Sequence, residues 1–150
     1  SLVSGADHAA LKKILENPKL KLPVDYVVAP RGSKREDGHL SGVTVVAPNE
    51  AILDDGPKTV ELLSELIGKA KTVLWNGPLG NYEKGFTDAT EALVRIIAQS
   101  NAHSIVGGGD TIAAIEKLGL DGRISFVSTG GGAMLDFLAD GSLPGIDALR

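Results

Sequence analysis

No cysteine occurs among the 150 residues, so disulfides and thiolate chemistry are excluded, and the chain suits a reducing compartment. No apolar run exceeds about five residues, far below the ~20 that a membrane-spanning helix needs. No basic-plus-apolar leader is read at the N-terminus. Positive charge is short as well: 15 Lys and Arg stand against 19 Asp and Glu, a net charge of −4. Such a chain has no diffuse attraction for nucleic acid or for anionic membranes. An anionic ligand would need a local site instead. The three histidines, His8, His39 and His103, are scattered and share no metal-ligand spacing, which argues against a histidine-based zinc site.

What is present is the balance of an ordinary globular α/β domain: 43% hydrophobic and 23% charged residues, with 19 glycines, several of them clustered. The length allows one such domain with a sizeable core, but not two full ones. Apolar β-branched runs alternate with helical patterns, the signature of a parallel sheet covered by helices. Strands are predicted over residues 24–29, 43–47, 72–75, 104–106 and 124–127. Helices are predicted over 6–15, 57–67, 88–100, 111–118 and 132–139. Pro57 suits a first turn, and Leu62, Leu63, Leu66 and Ile67 form an apolar stripe behind it. Asp110 is a candidate N-cap, Gly119 a stop, and Asp140-Gly141 another stop. Residues 31–42 are polar and aperiodic and read as an exposed connection. The chain opens at Ser1 and reaches a helix with no strand before it, which suggests a piece of a longer protein.

Three loops follow predicted strands, the place where open α/β sheets bind ligands. The first is Trp75-Asn76-Gly77-Pro78-Leu79-Gly80-Asn81-Tyr82-Glu83. Pro78 stiffens it, and Gly77 and Gly80 permit close backbone approach. Asn76 can donate to a phosphate and Glu83 can accept from a ribose hydroxyl; a tight turn with a surface glutamate accounts for the same residues. The second is Gly107-Gly108-Gly109-Asp110-Thr111, where bare backbone N–H groups at a helix start favour an anion. Asp110 there is either a plain cap or a Mg²⁺ partner, since an uncompensated carboxylate would repel polyphosphate. The third, Ser128-Thr129-Gly130-Gly131-Gly132-Ala133, repeats the strand–glycine–helix junction. Neither standard phosphate fingerprint fits: Ile112 stands where a dinucleotide fold needs its third glycine, and Phe86 where a Walker loop needs lysine.

These three loops, together with Leu143-Pro144-Gly145-Ile146-Asp147-Ala148-Leu149 and the segments Leu22-Pro23-Val24-Asp25 and Asp54-Asp55-Gly56-Pro57-Lys58-Thr59, resemble the phosphoglycerate kinase family in order and spacing. The resemblance covers nearly the whole chain. It implies a Rossmann-like parallel sheet with flanking helices, part of the C-terminal, nucleotide-binding domain of a two-domain, monomeric, cytoplasmic glycolytic kinase. That domain would here be truncated at its N-terminal side, with the substrate domain and its 3-phosphoglycerate or 1,3-bisphosphoglycerate site absent. The implied ligands are ADP or ATP as substrate and Mg²⁺. Carried over by motif, Glu83 would bind the ribose, Asn76, Pro78 and Gly80 would line the nucleotide site, and Leu2 and Leu53 would touch the base. Gly108, Gly109 and Thr111 would approach the phosphates, and Asp110 would hold Mg²⁺. The helix start at Gly130, Gly131 and Gly132 would face the transferring phosphoryl group. The family's Gly-x-Ala-Lys lysine loop is not found, and Asp55 is polar where the family commonly has an apolar residue. The chain is therefore expected to be inactive alone; a free-standing ADP- or ATP-binding module is the alternative.

Overall fold

The computed structural model describes residues 8–43 and 46–149. The element order is α1 (His8–Leu15), β1 (Asp25–Pro30), β2 (His39–Gly42), β3 (Glu50–Asp55), α2 (Pro57–Lys69), β4 (Thr72–Asn76), α3 (Asp88–Gln99), β5 (His103–Gly107), α4 (Gly109–Leu118), β6 (Phe126–Ser128), α5 (Gly131–Asp140) and α6 (Pro144–Asp147). Short 3₁₀ turns occupy Arg35–Asp37, Tyr82–Lys84 and Asp121–Arg123. Of the expected first helix, Ala6 and Asp7 lie outside the described residues, as does Leu2. Among the described residues no helix is long and apolar enough to cross a membrane.

The second half is the expected α/β unit. Strands β4, β5 and β6 pair in parallel in that order, with Leu74 opposite Ile105 and Ile105 opposite Phe126. One residue on, Trp75, Val106 and Val127 face the other way. Beneath that row lies the core: Ile67 from α2, Leu93, Val94 and Ile97 from α3, Ala114 and Ile115 from α4, and Ile124. Of the predicted α2 stripe, Ile67 and Leu63 meet this core while Leu66 stays exposed, and Val94 of α3 takes a fully buried place. Lys117 reaches from α4 to Glu91 on α3 at 2.7 Å, and that hydrogen bond holds the Glu91 carboxyl below its ordinary value. On the opposite face Leu74 and Phe126 remain 44% and 57% exposed. Parallel sheets are normally covered on both faces, so this face is open to another layer.

The first half departs from the expected single parallel sheet. Strand β1 sits between β2 and β3 and pairs with both antiparallel. The strand expected over 43–47 does not form on the described part of that run. Thr44 and Val45 lie outside the described residues, and Ala47 closes a turn by accepting the Glu50 N–H at 2.9 Å. Strand β3 begins only there. Propensity favoured the valines, but pairing with β1 selected the following residues. The supposed connection 31–42 likewise contains β2, an edge strand exposed on both sides and therefore without the alternation that reveals a half-buried strand.

The two halves are joined by a polar joint at Asp25. Its carboxylate accepts the Lys58 N–H at 3.1 Å and the Thr59 N–H at 2.8 Å, capping α2 from a distant strand, while Gly56 at the N-cap position has no side chain to offer. A Cβ at Gly56 would overlap that carboxylate. The Thr59 hydroxyl lies 2.8 Å from Asp25 Oδ1 and 3.0 Å from its carbonyl oxygen, and accepts the Val24 N–H at 2.9 Å. Burial alone would raise the Asp25 carboxyl, but these hydrogen bonds from Thr59 and Lys58 outweigh it and hold the group below its ordinary value.

Candidate functional site

The parallel order β4-β5-β6 brings the three glycine-bearing loops side by side, and they meet at Asn76. Its side-chain N–H donates to the Gly131 carbonyl at 2.9 Å, tying the first loop to the third. The Gly77 N–H donates to the Gly107 carbonyl at 3.3 Å, tying the first to the second. One of the two N–H donors that Asn76 offers is thus engaged with backbone, and through it Asn76 holds the loops together.

This packing sorts the glycines into two kinds. A Cβ on Gly108 would lie 2.9 Å from Gly77 N and 3.0 Å from Asn76 Oδ1, and Gly108 has φ +97° besides. A Cβ on Gly131 would lie 2.7 Å from Gly108 N. At both positions the close approach of backbone requires glycine. Around Gly109 and Gly132, by contrast, an added Cβ would meet nothing within 4 Å. Both sit in the first turns of α4 and α5, where N–H groups lack intrahelical acceptors. Their bareness is not needed for packing.

Helix α4 starts two residues earlier than the cap reading requires. Gly108 is the N-cap and Asp110 lies inside the first turn, so the capping role proposed for Asp110 falls away. Its carboxylate is half-buried and makes no hydrogen bond or ion pair among the described residues. A negative side chain there is favoured by the helix dipole. Thr111, the next residue, is fully buried, and its hydroxyl has no hydrogen-bond partner among the described residues. Mg²⁺ typically takes one or two carboxylates, completing its shell with phosphate oxygens and water. One free carboxylate beside open N–H groups fits that pattern, and no three-carboxylate or histidine cage is found among the described residues.

The outer part of the first loop is pinned to its surroundings. The Leu79 N–H donates to the buried Thr90 hydroxyl of α3 at 3.0 Å, and the Asn81 N–H to the Leu53 carbonyl of β3 at 2.7 Å. Asn81 also caps the following 3₁₀ turn, its side chain accepting the Lys84 N–H at 3.3 Å. That turn presents Glu83 to solvent, with Leu53, Pro78 and Gly80 half-buried behind it. Gly80 leans on Asp54, whose carboxylate a Cβ would overlap.

Asp54 was not singled out as a site residue by its pattern, because nothing in Asp-Asp-Gly-Pro says which carboxyl is buried. It is 2% exposed and accepts the Asp55 N–H at 3.0 Å and the Ala89 N–H at 3.2 Å, capping α3 where Thr87 gives no side-chain bond. Burial, with Asp55 and Asp88 nearby, pushes its carboxyl up to about 6 despite those two amides. Asp55 is half-buried, and burial and the Asp25 charge raise it too. A proton held more tightly in the folded state means that Asp54 weakens the fold as pH rises from about 4 through 6. In urea unfolding, the stability difference between Asp54→Asn and the parent should therefore shift by roughly 2–3 kcal/mol in the variant's favour between pH 4 and 7. Parallel profiles would refute this reading.

A cavity of about 330 Å³ adjoins the third loop, bounded by Ser128, Gly130, Met134 and Phe137. One of about 360 Å³ lies under the antiparallel sheet, between Val27, Leu40, Val60 and Ala92, and touches none of the three loops.

The family model for phosphoglycerate kinase matches residues 1–141. The chain belongs to the phosphoglycerate kinase family. It is 43% identical over 150 residues to the phosphoglycerate kinases of Francisella tularensis subsp. holarctica (strain FTNF002-00 / FTA) and subsp. novicida (strain U112), covering 99% of this chain and 38% of each relative. The phosphoglycerate kinase structure from Coxiella burnetii superimposes on 92% of the chain, and 36% of its own, with TM-score 0.79 and 42% identity. That from Pyrococcus horikoshii OT3 does so on 94%, and 35% of its own, with TM-score 0.79 and 35% identity. The chain thus spans about two fifths of the length of the phosphoglycerate kinases it matches, and all three glycine loops fall inside the matched region.

Proposed function

We propose that this chain is the Mg²⁺-nucleotide side of a phosphoglycerate kinase, the C-terminal nucleotide domain in N-terminally truncated form. The parent enzyme, cytoplasmic and monomeric, would move a phosphoryl group reversibly between 1,3-bisphosphoglycerate and Mg·ADP, giving 3-phosphoglycerate and Mg·ATP. The observation that carries this reading is the convergence of three strand-end loops on Asn76, with empty space beside Gly109 and Gly132 and no bond to the Asp110 carboxylate among the described residues.

Phosphoryl transfer asks the protein mainly for positioning and charge stabilisation. Glu83 accepts from the ribose hydroxyls, and Leu53, Pro78 and Gly80 form the surface beside it. The backbone at Gly108, Gly109 and Thr111, at the start of α4, approaches the phosphates. Asp110 holds Mg²⁺, which neutralises charge on the phosphate oxygens. The α5 start at Gly130, Gly131 and Gly132 faces the transferring group. A lysine loop and the 3-phosphoglycerate arginines are not among these residues, so the chain binds nucleotide without turning it over.

Calorimetry with Mg·ADP tests the assignment. Asp110→Ala should abolish the Mg²⁺-dependent part of the affinity, and Glu83→Ala should weaken ADP about tenfold, as for loss of a hydrogen bond to a charged group. Equal affinity of parent and Asp110→Ala in Mg²⁺ would reject the metal role.

A further inference from the structure

The turn that presents Glu83 is held by bonds converging on β3 and the start of α3. Asn81 donates its N–H to Leu53, the residue beside Asp54 on β3. The Phe86 N–H returns to the Asn81 carbonyl at 3.2 Å, closing the loop on itself. Leu79 is tied to Thr90, and Ala89, one residue before Thr90, donates to Asp54 Oδ2. Gly80 lies against the same carboxylate, so closely that no side chain fits between them. One buried carboxylate thus bonds the start of α3 and supports the loop at Gly80, while its own strand anchors Asn81.

We propose that Asp54 is a positioning residue for the ribose contact, setting the height and direction from which Glu83 meets the nucleotide. Asp54 itself is buried beneath the loop and touches no ligand. The inference rests on the reading of Glu83 as the ribose-binding carboxylate. Removing Asp54 would release the α3 start and let Gly80 settle, moving the Glu83 turn while leaving the Asn76 junction and the Gly109 and Gly132 amides in place.

The test compares three probes, Mg·ADP, Mg·2′,3′-dideoxy-ADP and magnesium pyrophosphate, on the parent chain, Glu83→Ala, Asp54→Ala and Asp54→Asn. Amide hydrogen exchange is followed alongside. The parent should prefer ADP over the dideoxy compound by about tenfold, and Glu83→Ala should lose that preference. Both Asp54 variants should lose most of it while keeping pyrophosphate affinity within about twofold, and their Asn81 and Phe86 amides should exchange at least about tenfold faster. An intact ADP preference in both Asp54 variants, equal weakening of all three probes, or unchanged exchange at Asn81 and Phe86 would overturn the inference. A parent with no preference would instead reject the ribose reading of Glu83; exchange at Asn81 and Phe86 would then decide by itself whether Asp54 holds the loop.

Discussion

Gly108→Ala and Gly131→Ala should each destabilise the chain by about 2–4 kcal/mol, from backbone overlap at both and a positive φ at Gly108. Their neighbours Gly109→Ala and Gly132→Ala should be neutral, or stabilising by up to about 1 kcal/mol, because alanine suits a helix and the space is empty. The contrast follows from where an added Cβ would go: 2.9 Å from Gly77 N at Gly108 and 2.7 Å from Gly108 N at Gly131, against nothing within 4 Å at the other two. Function should invert the order of interest. The stable variants Gly109→Ala and Gly132→Ala would put a methyl where polyphosphate is proposed to approach the open amides, and should weaken Mg·ADP. Urea unfolding reads the first effect and calorimetry the second. Four equal unfolding costs would mean that the loops do not meet as described.

Asp25→Ala should cost about 3 kcal/mol, more than an ordinary helix cap. The carboxylate serves two N–H groups and a hydroxyl, and its loss strands the Thr59 N–H, in a residue only 3% exposed, without an acceptor. The pH dependence has a definite sign. Hydrogen bonding holds the folded Asp25 carboxyl below its ordinary value, so its stabilisation is complete above the unfolded pKa and fades as pH falls below it. The gap between parent and variant should be widest at neutral pH and narrow in acid. Asp54 should do the reverse, its carboxyl being raised. Chemical unfolding from pH 3 to 7 separates the two, and a Asp25→Ala deficit that grows in acid would refute the cap.

What was legible in the sequence follows physical lines. Close backbone approach, read from Gly77 and Gly80, occurs at Gly80 against Asp54, whereas the clusters at 107–109 and 130–132, read as bare helix starts, also hold two glycines, Gly108 and Gly131, that pack tightly around Asn76. The stripe of α2 announces an inward face because helical periodicity survives averaging over several turns, and Ile67 and Leu63 meet the core. Strand β2 left no such trace: a polar edge strand has no inner face to alternate. The valines at 43, 45 and 46 suggested a strand by propensity, where pairing with β1 favoured Glu50–Asp55 instead. Asp110 reads as cap or metal ligand from the sequence, and a two-residue shift in the helix start removes the first option. The burial of Asp54 and the reach of Asp25 to α2 depend on contacts 35 and 34 residues apart, which no local pattern encodes.

The most direct test of the nucleotide surface is an amide chemical-shift map of the chain titrated with Mg·ADP. The expected result is a set of shifts confined to Gly108, Gly109, Asp110, Thr111, Gly131, Gly132 and the Glu83 turn, with the helix-start amides unresponsive to adenosine alone. Shifts confined to the cavity around Val27, Leu40 and Val60, with the glycine loops unmoved, would contradict it.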